Sequence, residues 1–107
     1  MTASKPYEID SYDDTFLIYE LKEDATSSSV KICPERGGTV IGCRLSGQEL
    51  LYLDRDTFLD PKANVRGGIP ILFPICGQLE DGKYEWDGTV YSMRNHGVAR
   101  TSAWEVA

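Results

Sequence analysis

The sequence predicts an all-β fold of antiparallel strands. Short runs rich in β-branched and aromatic residues are separated by turn residues at intervals of about eight to twelve positions, a spacing typical of sandwiches and barrels. No segment carries a 3.6-residue apolar stripe over three helical turns, and no internal repeat is visible. Together these observations favour a β-sandwich.

The predicted strands begin as a meander. The first four cover residues 15–21, 30–33, 39–45 and 50–53, and the turn Glu35-Arg36-Gly37-Gly38 joins the second to the third. The polar segment 54–64 is predicted to be a loop, and a loop of this length in a compact domain is more often functional than idle. A buried strand over 69–73, a hairpin over 83–93 that turns at Asp87-Gly88, and a last strand over 99–106 complete the prediction.

The composition excludes several classes of function. The chain has 17 Asp and Glu against 11 Lys and Arg, a net charge of −6, and no basic stripe, so a nucleic-acid partner is not expected. The longest apolar run, 69–76, is broken by Pro70 and Pro74 and is far shorter than the ~20 residues of a spanning helix, so no membrane segment is predicted. The start MTASKPYEID lacks the apolar stretch of a secretory signal, which indicates a cytoplasmic protein.

Neither a metal nor a cofactor is expected. Cys33, Cys43 and Cys76 are odd in number and lack a CxxC pair, so they are interpreted as buried free thiols. His96 is the one histidine, which rules out a His-rich metal site within the chain. The sequence also contains no GxGxxG, Walker or GxSxG motif that would indicate a dinucleotide, a nucleotide or a serine hydrolase.

Two further groups receive ordinary interpretations. Asp54, Asp56 and Asp60 offer carboxylates, but the glycine and the bidentate glutamate of the calcium-binding loop are missing, so a solvated loop is predicted. Trp86 and Trp104 have ring faces on which a sugar can stack, but both lie in strand patterns, where core packing is the usual explanation.

The first candidate binding motif is Asn64-Val-Arg66-Gly67-Gly68-Ile-Pro70. The two glycines allow a tight turn, and an arginine at its mouth offers a planar fork of donors to sugar hydroxyls, a ring oxygen or a phosphate. The alternative is an arginine that ties down loop carbonyls, and the spacing alone leaves both interpretations open.

The second candidate motif is Asn95-His96-Gly97-Val98-Ala99-Arg100. If Val98 to Arg100 enters a strand, His96 and Arg100 lie on the same face and can line one pocket. The alternatives are a loop histidine bonded to a backbone carbonyl and an exposed strand arginine.

Together the two motifs resemble those of a known family. RGGIPILFPICG followed by HGVARTSAWEV is similar to the paired signature of the aldose 1-epimerases and their hexose-phosphate mutarotase relatives, and GTVIGCRLSGQELLYLDRDTF is similar to their early strands. The resemblance implies a galactose mutarotase-like β-sandwich, with residues 1–107 as the N-terminal part of a single domain.

The resemblance also implies a reaction without a cofactor. A general base takes the proton of the anomeric hydroxyl while a general acid protonates the ring oxygen, so that an aldohexose opens and recloses as the other anomer. Arg66 and His96 match positions that hold the sugar, and Arg100 matches the arginine associated with substrate or phosphate in the hexose-phosphate branch.

Two departures shape the expectation. The family's acid histidine and base glutamate belong to later segments, beyond Ala107, so the catalytic residues are unknown here and the chain is expected to be inactive alone. Pro74-Ile-Cys-Gly77 lacks the aromatic pair common in the hexose-phosphate branch, which favours a general aldose epimerase. The alternatives are a hexose-6-phosphate 1-epimerase and a non-catalytic carbohydrate-binding or β-sheet interaction module.

The end of the chain predicts an interface. The strand SAWEVA stops at Ala107 without a turn or polar tail, so its sheet partner is expected to lie outside these residues. An open sheet edge can pair with another strand, and the sequence therefore predicts that a homodimer can form through it.

Overall fold

A computed structural model describes residues 6–107, so part of the N-terminal stretch used to exclude a signal falls outside the described residues. The strands are β1 Glu8–Asp14, β2 Phe16–Glu23, β3 Ser28–Cys33, β4 Thr39–Leu45, β5 Gln48–Glu49, β6 Lys83–Trp86 and β7 Thr89–Ser92. One α-helix, α1 Arg55–Leu59, and four 3-10 turns at Asp24–Thr26, Pro34–Arg36, Glu80–Gly82 and Ala99–Thr101 complete the elements. None of the helices within residues 6–107 has the length and apolar character needed to cross a bilayer.

The first five strands form one antiparallel sheet in the order β1-β2-β3-β4-β5. Strands β6 and β7 form a separate hairpin, which turns through Asp87 (φ 51°) and Gly88 (φ 78°) as the Asp-Gly signal predicts. This architecture confirms the predicted fold class, an all-β antiparallel structure of the sandwich type, and confirms the meander.

Several element predictions were wrong at their boundaries or in kind. The polar strand β1 was not predicted, because Glu8–Asp14 lacks regular apolar alternation and is held mainly by its full ladder with β2. Residues 50–53 are not a strand; pairing with β4 stops at Glu49, and only Leu53 makes an isolated bridge, to Gly67. The loop predicted over 54–64 contains α1.

The two predicted strands nearest the C-terminus are also absent. Residues 69–73 make single bridges, from Ile69 to Val40 and from Phe73 to Gly97, and Ile69 is half exposed rather than buried. Pro70 supplies no N–H to a ladder, which explains the interruption. In 99–106 the chain makes a 3-10 turn, where the hydroxyls of Thr101 and Ser102 both donate to the carbonyl of Val98.

The core lies on one face of the sheet, under α1. It consists of Ile18, Cys33, Ile41 and Phe58, and the ring of Phe16 meets that of Phe58 edge-on at 5.6 Å. A bulge in the β3–β4 pairing leaves Ile41 without a direct partner, between Val40 and Gly42, and Ile41 joins this core. Helix α1 therefore covers only one end of one sheet face.

The cysteine and tryptophan predictions need correction. Cys33 is buried as predicted, but Cys43 is half-buried and Cys76 is exposed, because Cys76 lies in the irregular segment after Pro74. Trp86 is 72% exposed on the hairpin and Trp104 is 48% exposed, so neither packs in a core.

The three thiols are expected to react at different rates with an aromatic disulfide reagent. Burial raises the pKa of Cys33, so at pH 8 its thiolate is scarce as well as inaccessible, whereas Cys76 is open to solvent. We expect fast labelling of Cys76 and labelling of Cys33 only on unfolding, measured by absorbance with Cys76→Ser as the control. Fast labelling of Cys33 in folded Cys76→Ser protein would contradict the burial.

Candidate functional site

The site rests on an arginine that the sequence analysis did not single out. The guanidinium of Arg36 donates to five backbone carbonyls at 2.7–3.4 Å, those of Thr57, Phe58, Asp60, Pro61 and Ala63. It thereby ties the segment after α1 to the turn between β3 and β4. The signal for this residue was present, since Arg36-Gly37-Gly38 repeats the string Arg66-Gly67-Gly68. The role considered for Arg66, tying down loop carbonyls, belongs to Arg36.

The backbone around Arg66 is fixed on two sides. Its N–H donates to Thr57 Oγ1 at 3.0 Å and its carbonyl accepts from the N–H of Asp54 at 2.9 Å. The N–H of Gly68 donates to the Tyr52 carbonyl at 2.8 Å. The backbone at Gly67 (φ 99°) approaches Tyr52 so closely that a Cβ at this position would clash with it. The turn predicted at the glycines is therefore held rigidly against residues 52–54.

The side chain of Arg66 remains available to a ligand. Arg66 is exposed, and its guanidinium has no hydrogen bond or ion pair to any side chain or carbonyl within residues 6–107. Five donors on a fixed backbone, facing solvent, suit a ligand that offers several oxygen acceptors.

The His96 turn docks on the irregular segment 73–77. The N–H of His96 donates to the Gly77 carbonyl at 2.8 Å, and the N–H of Val98 donates to the Phe73 carbonyl at 2.8 Å. Between them, the backbone of Gly97 (φ 75°) packs directly on the Phe73–Pro74 peptide. His96 itself has a positive φ of 65°, so the turn holds an unfavourable backbone conformation at the candidate residue.

The ring of His96 has one committed nitrogen and one free nitrogen. Nδ1 lies 2.8 Å from the Cys76 carbonyl, which can only accept, so we assign the proton of the neutral ring to Nδ1. Within the described residues Nε2 has no partner and is left as an acceptor. The interpretation of His96 as a loop histidine bonded to a carbonyl therefore holds for Nδ1, while Nε2 can still serve a ligand.

Arg100 does not share a strand face with His96, and that prediction was wrong. Residues Ala99–Thr101 form a 3-10 turn, and the backbone of Arg100 lies against Gly37, where a Cβ would clash. Its side chain lines a cleft together with Arg36, Thr39, Asn64 and Gly67. Arg100 Nε is buried there without a hydrogen-bond partner in the part of the chain that the structure describes.

This cleft joins two of the predicted motifs but is small. It brings Arg100 to the Gly67 side of the Arg66 turn, with a volume of about 40 Å³. A ligand pocket usually has at least ~300 Å³, and one water needs only ~30 Å³. The cleft as it stands therefore admits water and the tip of a ligand group rather than a whole hexose.

The described residues do not assemble a proton-transfer pair. No carboxylate forms an ion pair with His96 among residues 6–107, and the acidic side chains of Asp54, Asp56 and Asp60 do not gather with other ligand types into a metal-binding group there. Asp60 instead accepts a hydrogen bond from the N–H of Lys62 at 2.9 Å. The chemistry of this arrangement is hydrogen bonding to a polar ligand by Arg66, His96 and Arg100.

Comparison with known proteins gives one relative of known structure. No protein-family model matches the chain. The Slr1438 protein of Synechocystis sp. PCC 6803 is similar to it over 100% of its length, with 40% sequence identity and a TM-score of 0.81. The chain spans only about a third of that protein, 35% of its residues.

Proposed function

We propose that this chain supplies the substrate-gripping part of an aldose 1-epimerase, an enzyme that interconverts the α and β anomers of a hexose. Arg66 and His96 hold the sugar oxygens and Arg100 contributes at the edge of the cleft. The observation that supports this most is the pair of rigid turns that present Arg66 and His96 Nε2 without protein partners among residues 6–107. The proposal includes a cytoplasmic location, which agrees with three free cysteines.

The binding groups suit the reaction in a specific way. Ring opening moves a proton from the anomeric hydroxyl and delivers one to the ring oxygen, so both oxygens must be held still while their charges change. A guanidinium stabilises developing negative charge on oxygen, and an imidazole acceptor at Nε2 orients a hydroxyl proton. Neither group needs a cofactor for this task.

The chain alone is expected not to catalyse the reaction. Because no carboxylate pairs with His96 in residues 6–107, the acid and base that move the protons are not both in place. Polarimetry of freshly dissolved galactose or glucose should show the same rate of mutarotation with and without the chain. A substantial acceleration that His96→Ala abolishes would contradict this part of the proposal.

A hexose-6-phosphate 1-epimerase is a second candidate, which one observation favours. Two guanidiniums, those of Arg36 and Arg100, line one cleft in a chain of net charge −6, and the buried Nε of Arg100 lacks an acceptor among the described residues. A phosphate oxygen would supply that acceptor. This branch predicts tighter binding of glucose 6-phosphate than of glucose, lost on Arg100→Ala, whereas equal affinities for the two sugars would count against it.

A non-catalytic carbohydrate-binding module is the candidate from another class. The absence of an acid–base pair at His96 within residues 6–107 favours it. A module predicts sugar binding without catalysis even when all of its natural polypeptide partners are present. Mutarotation by such a complete assembly would exclude it.

A further inference from the structure

One face of the five-stranded sheet is apolar and uncovered. Strand pairing places side chains of opposed residues on the same face, so the pairs Ile9–Leu21, Leu21–Val30, Tyr19–Ile32 and Ile32–Val40 define one surface. We call this surface the open face; its members are Ile9, Leu17, Tyr19, Leu21, Val30, Ile32, Val40, Cys43 and Leu45. Not one of them is buried, and Ile9 is 69% exposed.

The opposite face shows that this exposure is not general. There Ile18, Cys33 and Phe58 form the core under α1, and beyond the helix the face turns charged, with Lys31 and Arg44. The sheet therefore has one satisfied face, part core and part solvated, and one apolar face with nothing packed on it in residues 6–107. A sheet of this kind is stable when a second layer covers the apolar side.

The exposed area has the size of a large interface. The solvent-accessible surface is 7882 Å², about 1,900 Å² above the ~6,000 Å² expected of a compact chain of 11.9 kDa. A standard protein–protein interface takes ~800 Å² from each partner, and permanent interfaces take more. The excess thus calls for a permanent partner rather than a transient one.

The charges around the open face argue against a second copy of the chain. Asp13 and Glu23 lie on the same face by their pairing with Leu17 and Ser28, and the strands of this face carry no lysine or arginine on it. Two copies packed face to face would bring acidic rims together in chains that each carry a net charge of −6. The occupant is better matched by an apolar surface with a basic rim.

We infer that the open face is the docking surface for a second β-sheet layer, from a polypeptide equivalent to the part of the Slr1438 protein that this chain does not span. The whole chain matches 35% of that protein at 40% identity with a TM-score of 0.81, so the relative contains this sheet together with almost twice as much further polypeptide. The inference rests on the open face and on this coverage, and it does not depend on the proposed epimerase function.

The test is association of the chain with the remaining part of the Slr1438 protein, purified separately, followed by size-exclusion chromatography with light scattering. We expect a one-to-one complex. The double variant Ile9→Glu/Leu21→Glu would bury two unpaired carboxylates and should weaken the complex at least about a hundredfold. Tyr12→Glu is the matched control, because it adds a carboxylate to the same strand on the opposite face and should leave the complex intact.

Circular dichroism separates a lost interface from a lost fold. Ile9 and Leu21 are exposed, so the double variant should keep the β-sheet spectrum of the parent. Three results would overturn the inference: no complex with the parent chain, a complex that the double variant forms equally well, or a homodimer of the parent chain that the double variant dissociates. The last would identify a second copy as the occupant.

Discussion

Replacing Arg36 by methionine is expected to lower the free energy of unfolding by about 3 kcal/mol, because hydrogen bonds from a charged donor contribute roughly 1.5–3 kcal/mol each and several are lost together. The five carbonyls that the guanidinium serves lie between Thr57 and Ala63, and some of these contacts are partly buried. Methionine fills a similar volume but leaves those carbonyls without a donor. The segment leading to Arg66 then loses its attachment to the β3–β4 turn.

Urea unfolding followed by circular dichroism measures this effect. Arg36→Lys keeps the charge but replaces a planar fork by a single ammonium, so it should recover only part of the stability. Arg94→Met is the matched control, since Arg94 is exposed and its side chain has no hydrogen bond within residues 6–107; a change below about 0.5 kcal/mol is expected there. An Arg36→Met protein as stable as the parent would show that the arginine does not hold this segment.

Replacing Gly97 by alanine is expected to disrupt the His96 turn and to destabilise the protein by about 3 kcal/mol or more, the scale of the largest single-residue effects. The new methyl group would lie 2.6 Å from the carbonyl carbon of Phe73 and 2.9 Å from the nitrogen of Pro74, both backbone atoms that cannot rotate away. The clash adds to the cost of a positive φ of 75°.

Gly88→Ala separates these two contributions. Gly88 has nearly the same φ, 78°, but nothing lies within 4 Å of the position that its Cβ would occupy. This control should lose only about 1–2 kcal/mol, the cost of the left-handed conformation alone. Equal losses in the two variants, measured by thermal unfolding, would contradict the close approach of the His96 turn to Phe73–Pro74.

Local patterns predicted the parts of the fold that depend on local physics. The Asp87-Gly88 hairpin follows from the conformational freedom that its turn demands, and strand β4 was predicted with its exact bounds, 39–45, from β-branched residues between turn signals. Strand β1 was missed because its polar residues are extended only through pairing with β2, a partner that a local pattern does not reveal.

The candidate site was predicted in its residues but not in its framework. Arg66 and His96 were identified from the motifs, yet the geometry that fixes them comes from Arg36 and from Gly97, whose roles depend on chain segments far apart in sequence. The shared strand face of His96 and Arg100 failed because hydroxyls at 101 and 102 compete for the Val98 carbonyl and close a 3-10 turn. Tertiary contacts of this kind leave no periodic signal.

The central claim, that Arg66 and His96 grip a sugar, is tested most directly by a two-dimensional NMR titration of the labelled chain with galactose and glucose. The account predicts saturable shifts of the amides of residues 64–68 and 95–98, at least about tenfold weaker binding in Arg66→Ala and in His96→Ala, and unchanged binding in Arg44→Ala, an exposed arginine on β4. Shifts that are absent for both sugars, or binding that survives both substitutions, would contradict it.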